Sequence, residues 1–211
     1  MTSEVTAIGH VETGGAGQPV VVQEGHVARG ISNPILGMLL FITSEVMFFA
    51  GLFAAYFSTR AANQTTSAWT HFQPLLNPLS LILVATIILI TSSFTCQFAV
   101  WAIRRDDRKG FVRNIAVTLV LGIVFLIGQV YDYSTIGFGI SDTPFGTTFY
   151  TLTGFHGAHV FGGVLMLAVI LYRGMSGQFS SKHHDAVEAV SFYWHFVDVV
   201  WIALFSTLYI L

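Results

Sequence analysis

Charge is what this chain has least of. Only 9% of its 211 residues are Asp, Glu, Lys or Arg, whereas a soluble globular domain carries about 25%. A chain so poor in charge cannot cover itself with a hydrated surface, which excludes an ordinary soluble domain. Cysteine is nearly absent too. Cys96 is the single one and lies inside an apolar run, so no internal disulfide, Cys-x-x-Cys metal site or haem-attachment motif exists. There is no excess of positive charge: the net charge of −2 excludes nucleic acid as a natural partner. The first 29 residues lack a basic start followed by an apolar core, so they do not read as a signal peptide. Residues 1–30 are expected to form a flexible cytoplasmic tail, and no soluble domain or internal repeat follows.

What the chain has is apolar length. Hydrophobic residues make up 54% and the mean hydropathy is +0.69. Crossing a hydrocarbon layer about 30 Å thick takes roughly 20 helical residues. Five runs meet that length or come close to it, near residues 34–58, 79–103, 115–131, 145–172 and 187–211. Membrane barrel strands are about 10 residues long and alternate in polarity, which none of these runs does. The breaks carry helix-end chemistry: Asn33-Pro34, Asn77-Pro78 and Asp142-Thr143-Pro144 set a capping or turn residue beside a proline suited to a first helical turn. The fold class is therefore all-α, a polytopic membrane bundle of five transmembrane helices over residues 31–211.

Lys and Arg are retained on the cytoplasmic side of a membrane. Arg29, Arg104, Arg105, Arg108, Lys109, Arg113, Arg173 and Lys182 fall on one side of the five-span arrangement, against Arg60 alone on the other. The N-terminus is expected in the cytoplasm and the C-terminus outside.

An ionisable side chain at the bilayer centre costs about 2.5–3.5 kcal/mol on insertion scales, so each one needs a reason. Glu45 lies near the middle of the first span, His156 and His159 near the middle of the fourth, and His195 and Asp198 near the middle of the fifth. Both pairs are three residues apart and so share a helical face. Gly154, Ala158 and Gly162 form a stripe spaced by four, where a neighbouring helix is expected to approach closely. The histidines lie well over 90° around from it. If the first, fourth and fifth helices adjoin, Glu45, the histidines and Asp198 are expected to meet at similar depth. Three readings stay open: a satisfied polar network that locks the bundle, a lipid-binding or proton-handling role for Glu45, and a metal site. The last has a thin donor set, since di-iron bundles use a Glu-x-x-His on each of two helices plus two further glutamates. Trp194 and Trp201, seven apart, are more simply packing aromatics than an electron path. His183 and His184 read either as a solvated loop or as surface proton collectors, because histidine titrates near neutral pH.

Three ordered stretches resemble the signatures of cytochrome c oxidase subunit III. They are Thr43-Ser44-Glu45-Val46-Met47-Phe48-Phe49, Thr153-Gly154-Phe155-His156-Gly157-Ala158-His159-Val160 and Tyr193-Trp194-His195-Phe196-Val197-Asp198-Val199-Val200-Trp201. Shorter matches lie at Asn77-Pro78-Leu79, Asp107-Arg108-Lys109, Ile140-Ser141-Asp142 and His183-His184 leading to Glu188-Ala189.

The resemblance implies a non-catalytic subunit of a haem-copper oxidase in a bacterial plasma membrane. Such a subunit binds no haem or copper and contacts subunit I directly, with subunit II and other respiratory subunits as further partners. It supports aerobic electron transport from cytochrome c to oxygen coupled to proton translocation. Subunit III stabilises the catalytic core, holds phospholipid, sustains proton uptake and offers a route for oxygen. By position, Glu45 matches the family's buried glutamate near a lipid cleft and Arg173 a basic residue that meets lipid phosphate, which suits the planar donor fork of arginine.

Longer members carry two further helices that open the cleft. This chain starts at what would be their third helix, like the five-helix bacterial members, so the cleft is expected to be absent or closed by another subunit. Ser44-Glu45 resembles the cytochrome c branch more than the quinol-oxidising one, which remains an alternative beside a protein of nitric oxide reductases. An independent proton or ion transporter using Glu45 and Asp198 is the alternative from another class.

Overall fold

Hydrophobic length resolves into helices in a computed structural model that describes residues 32–63, 65, 69 and 81–210. The expected tail at 1–30, Arg29 and the Asn77-Pro78 break lie outside the described residues. Ser32–Leu211 forms one compact unit. Its helices are α1 (Asn33–Asn63), α2 (Leu81–Arg104), α3 (Arg108–Thr135), α4 (Pro144–Met175) and α5 (Asp185–Phe205), the last continuing into a π-helical turn, Ser206–Ile210. All five are long and apolar enough to cross a bilayer.

The ends reach past the apolar runs. α3 starts at Arg108, seven residues before the expected 115, and ends at Thr135 rather than 131. Asp107 caps it, accepting from the Gly110 N–H at 2.9 Å, and its first turn carries Arg108 and Lys109. α1 likewise runs to Asn63 instead of 58. α4 opens as its sequence suggests, with Thr143 accepting from the Gly146 N–H at 3.0 Å and Pro144 in the first turn. α5 carries Asp185 and Glu188 in its first turn, where carboxylates suit the helix dipole.

α5 is the centre of the bundle. It packs on α1, α2 and α4, while α3 bridges α2 and α4. In its most apolar stretch 61% of residues are buried, against 6% for α1. α1 lies against α4 and α5 along a seam in which Ile35, Met38, Ile42, Glu45, Phe49, Leu52, Tyr56 and Thr59 are covered at alternating spacings of three and four, with Phe53, Arg60 and Asn63 covered beside them. That is the 3.5-residue repeat of two helices packing side by side. Glu45 is thus a seam residue.

Within this chain the expected small-residue stripe is covered only at Gly162, where the Tyr193 hydroxyl lies 3.5 Å from the position of a β-carbon. Gly154 and Ala158 are exposed, and nothing lies within 4 Å of where a Gly154 β-carbon would stand. The tight contacts fall at other glycines: Gly122 and Gly163 receive the indole of Trp194, and Gly174 the ring of Phe111. Large aromatic rings, not helix backbones, select these glycines.

Candidate functional site

The five intramembrane ionisable groups separate into three places. Glu45 meets His159 across the α1/α4 seam, with Oε2 3.0 Å from Nε2. The other ring nitrogen of His159, Nδ1, lies 2.7 Å from the Phe155 carbonyl oxygen. A carbonyl only accepts, so Nδ1 carries a proton. The contact to Glu45 then holds one further proton, either on the carboxyl or on Nε2. In both arrangements the pair has no net charge, which is what a low-dielectric setting demands. Phe49 stands edge-on to the imidazole at 4.9 Å and Phe48 stacks at 6.2 Å. Tyr193 donates to the His159 carbonyl at 3.1 Å. The Glu45 side chain keeps 20% exposure, so this pair is the one nearest the bundle surface.

His156 goes elsewhere, because three helical positions leave the two imidazoles about 60° apart. It is wholly buried, stacked on Trp201 at 4.9 Å and edge-on to Phe125 at 5.9 Å. Neither ring nitrogen has a hydrogen-bond partner among the described residues.

His195 and Asp198 face α2, away from Glu45. Gln97 Oε1 lies 3.3 Å from His195 Nε2 and Ser93 Oγ 2.6 Å from Nδ1. A proton on Nε2 satisfies both bonds, with Ser93 donating, so the ring is complete without charge. Asp198 is 5% exposed. Among the described residues its oxygens make no hydrogen bond of normal geometry, and the Ser93 hydroxyl lies beside them. The expected single meeting point therefore does not form, although α1, α4 and α5 do adjoin. Among the described residues, no group of three His, Cys, Asp or Glu side chains is arranged to hold a metal ion.

Sequence reasoning missed α2. Besides Ser93 and Gln97, it supplies Ser92 Oγ to the Trp194 indole N–H at 3.0 Å and Thr86 Oγ1 to that of Trp201 at 2.9 Å. The spacing gave no signal for it: the two acceptors, Thr86 and Ser92, are six apart, whereas Trp194 and Trp201 are seven apart.

At the basic end the loops are clipped together. Arg104 grips Glu188 Oε1 through Nε and Nη2 at 3.0 and 2.7 Å, and His184 Nε2 reaches the same oxygen at 3.0 Å. His183 is exposed, so the adjacent histidines have separate surroundings. Arg108 donates to the carbonyls of Gly174 and Met175, closing the end of α4. Asp106, in the left-handed region at φ 58°, accepts from the Ser181 hydroxyl and N–H at 2.6 and 2.7 Å. Those two bonds, helped by nearby His184 and Lys182, hold its carboxyl below the usual carboxylate range. Arg173 donates to Gln178 at 2.9 Å and lies 4.8 Å over the Phe179 ring. It also lines a cavity of about 310 Å³ with Leu165, Met166, Val169, Ile170, Ala186 and Val190, an apolar groove with a guanidinium among its walls.

Known proteins are similar to this chain over most of its length. The chain is 45% identical over 177 residues to a cytochrome c oxidase subunit 3 of Corynebacterium diphtheriae, covering 82% of this chain and 86% of the relative. It is 42% identical over 182 residues to that of Thermostichus vulcanus, with 84% and 87% covered. It is 38% identical over 199 residues to that of Loxodonta africana, with 90% and 76% covered. These relatives and the five spans make it a multi-pass membrane protein and part of an oxidoreductase complex with other oxidase subunits. With the cytochrome c oxidase subunit III family matching over residues 21–211, five spanning helices and Glu45 set against His159 in their packed seam, the chain belongs to that family.

Proposed function

We propose that this chain is the non-catalytic subunit III of an oxidase that draws electrons from cytochrome c, with haem and copper held by partner subunits I and II. It contacts subunit I directly, stabilises it, and supports proton translocation in a bacterial plasma membrane. The N-terminus and the basic end lie in the cytoplasm, by the bias of Lys and Arg. The carrying observation is how three of the five intramembrane ionisable groups, Glu45, His159 and His195, are spent. Glu45 and His159 neutralise each other, and His195 is completed by α2. These groups hold helices to helices, which is the work of a scaffold. Arg173, above its apolar groove, is the lipid-phosphate residue, and the Glu45–His159 pair faces lipid at the seam. His183 is the surface proton collector, being exposed, whereas His184 is engaged with Glu188.

Purifying the complex with and without this chain tests the reading. The expected result is oxidation of reduced cytochrome c but not of quinol, an unchanged haem spectrum after removal of the chain, and a shortened lifetime of turnover. A complex that uses quinol, or a haem signal lost with this chain, would overturn it.

A further inference from the structure

α3 carries a strip that the packing of the bundle leaves uncovered and that nothing above uses. It begins at the basic end in a cavity of about 500 Å³ lined by Arg108, Lys109, Val112, Arg113 and Met175. Eighteen residues further, at 100° each, the helix returns to the same angular position. A second cavity of about 490 Å³ lies there, lined by Leu126, Ile127, Val130, Tyr131 and Ser134. Positions 112 and 130, and 113 and 131, therefore stand on one line, separated by about 27 Å. That is close to the thickness of a bilayer's hydrocarbon, about 30 Å. Between them Val117, Val120, Ile123 and Val124 are 41–58% exposed.

The chemistry along the strip is that of a phospholipid. Arg108 is already spent on the Gly174 and Met175 carbonyls, which fixes the cavity wall. Lys109 and Arg113, one turn apart and exposed, have no hydrogen bond or ion pair with any described residue, and α3 has no acidic residue in its first turn. Two cations at the rim of a pocket at membrane-interface depth match an anionic headgroup. Below them the surface is all Val and Ile, stiff side chains that lose little freedom when an acyl chain lies on them. A partner helix would call for other residues, because helices meet in membranes at Gly, Ala and Ser. The exposed face of α1, with Gly37, Ser44, Gly51 and Ala55, has that character and this strip does not.

We propose that the α3 strip is a binding site for one anionic phospholipid of the bilayer. Its headgroup lies on Lys109 and Arg113, and an acyl chain runs down Val117, Val120 and Val124. This site is separate from the groove of Arg173 and stands whether or not that residue meets lipid.

The test uses the intact, mildly delipidated oxidase complex, titrated with phosphatidylglycerol or phosphatidylcholine, with native mass spectrometry counting lipid adducts on this chain. One phosphatidylglycerol adduct is expected to weaken about fivefold for each charge removed in Lys109→Gln and Arg113→Gln. Arg105→Gln, an exposed charge outside the cavity, is expected to leave it unchanged. Val124→Trp should weaken the same adduct with both cations intact, because a bound acyl chain, unlike a diffuse ion cloud, needs the strip. Each variant is read in complexes whose subunit ratio matches the wild type. Equal retention of phosphatidylcholine, or an adduct indifferent to the double Gln variant or to Val124→Trp, would overturn the site. So would a photoreactive group at position 124 that captures another subunit instead of lipid.

Discussion

Trp194 stands where a side chain on Gly163 would be: its Cε3 lies 2.8 Å from the position of a β-carbon there, and its Cη2 lies 2.7 Å from that of Gly122. One indole thus joins α5 to α3 and α4 together while its N–H donates to Ser92 on α2. Adding a methyl group at Gly163 or Gly122 would push a wholly buried ring into neighbours that have no room. Gly163→Ala and Gly122→Ala are each expected to destabilise the bundle by about 1–3 kcal/mol. Gly154→Ala, with open space around it, should be neutral within this chain. Thermal release of the subunit from the purified complex measures all three.

Glu45 and His159 share a single proton, so the seam tolerates an amide better than a gap. In Glu45→Gln the amide can still donate to Nε2 while His159 Nδ1 keeps the Phe155 carbonyl. The complex is expected to assemble with an unchanged haem spectrum and a modestly altered turnover or lifetime. His159→Leu leaves a carboxyl facing apolar surroundings, a loss of about 1–3 kcal/mol or more. Subunit content after purification, compared between the two variants, gives the ranking. Equal retention of the subunit would show that the pairing is incidental.

The Asp106–Ser181 clip predicts a pH dependence with a definite sign. The folded-state value of the carboxyl lies below the usual one. Its contribution is therefore complete above the ordinary carboxyl range and disappears as pH falls through the lowered folded value. Asp106→Asn removes the charge while keeping a residue that accepts the left-handed backbone at φ 58°. At neutral pH, hydrogen exchange at the Ser181 amide should be faster in the variant. On acidification below the lowered folded value of the carboxyl, the difference from wild type should vanish. A difference that persists in acid would assign the protection to the loop's shape.

Much of this was legible because lipid is an unforgiving solvent. A 30 Å layer sets helix length, and Glu45, His156, His159, His195 and Asp198 announced themselves by the cost of placing them in it. Helix ends were less legible: the stretch from Arg108 to Asn114 holds three basic residues and an asparagine, which cut the apolar run short, yet it continues α3. The pairing of charged groups was hidden in the rotation between His156 and His159, and in the choice of α2 rather than α1 as the neighbour of His195. Thr86 and Ser92 gave no cost to notice. Each donates to a carbonyl in its own helix, Ile82 and Leu89 respectively, so they need no partner and do not reveal that they have one.

That self-sufficiency leads to a prediction about Trp201. Its indole N–H has Thr86 Oγ1 as acceptor at 2.9 Å, while the same hydroxyl donates to the Ile82 carbonyl at 2.8 Å. Thr86→Val keeps the shape of the side chain and removes the acceptor, leaving a buried N–H with nothing to bond. The loss is expected to be about 1–3 kcal/mol, the cost of an unsatisfied buried donor. Thr86→Ser retains the hydroxyl and gives up a methyl group, at about 1 kcal/mol. If valine proves as stable as threonine, the Trp201 hydrogen bond contributes nothing, and its ring is held by packing on His156 and Phe125 alone. The ultraviolet resonance Raman signature of the indole N–H, read beside subunit release on heating, separates a lost bond from a lost contact.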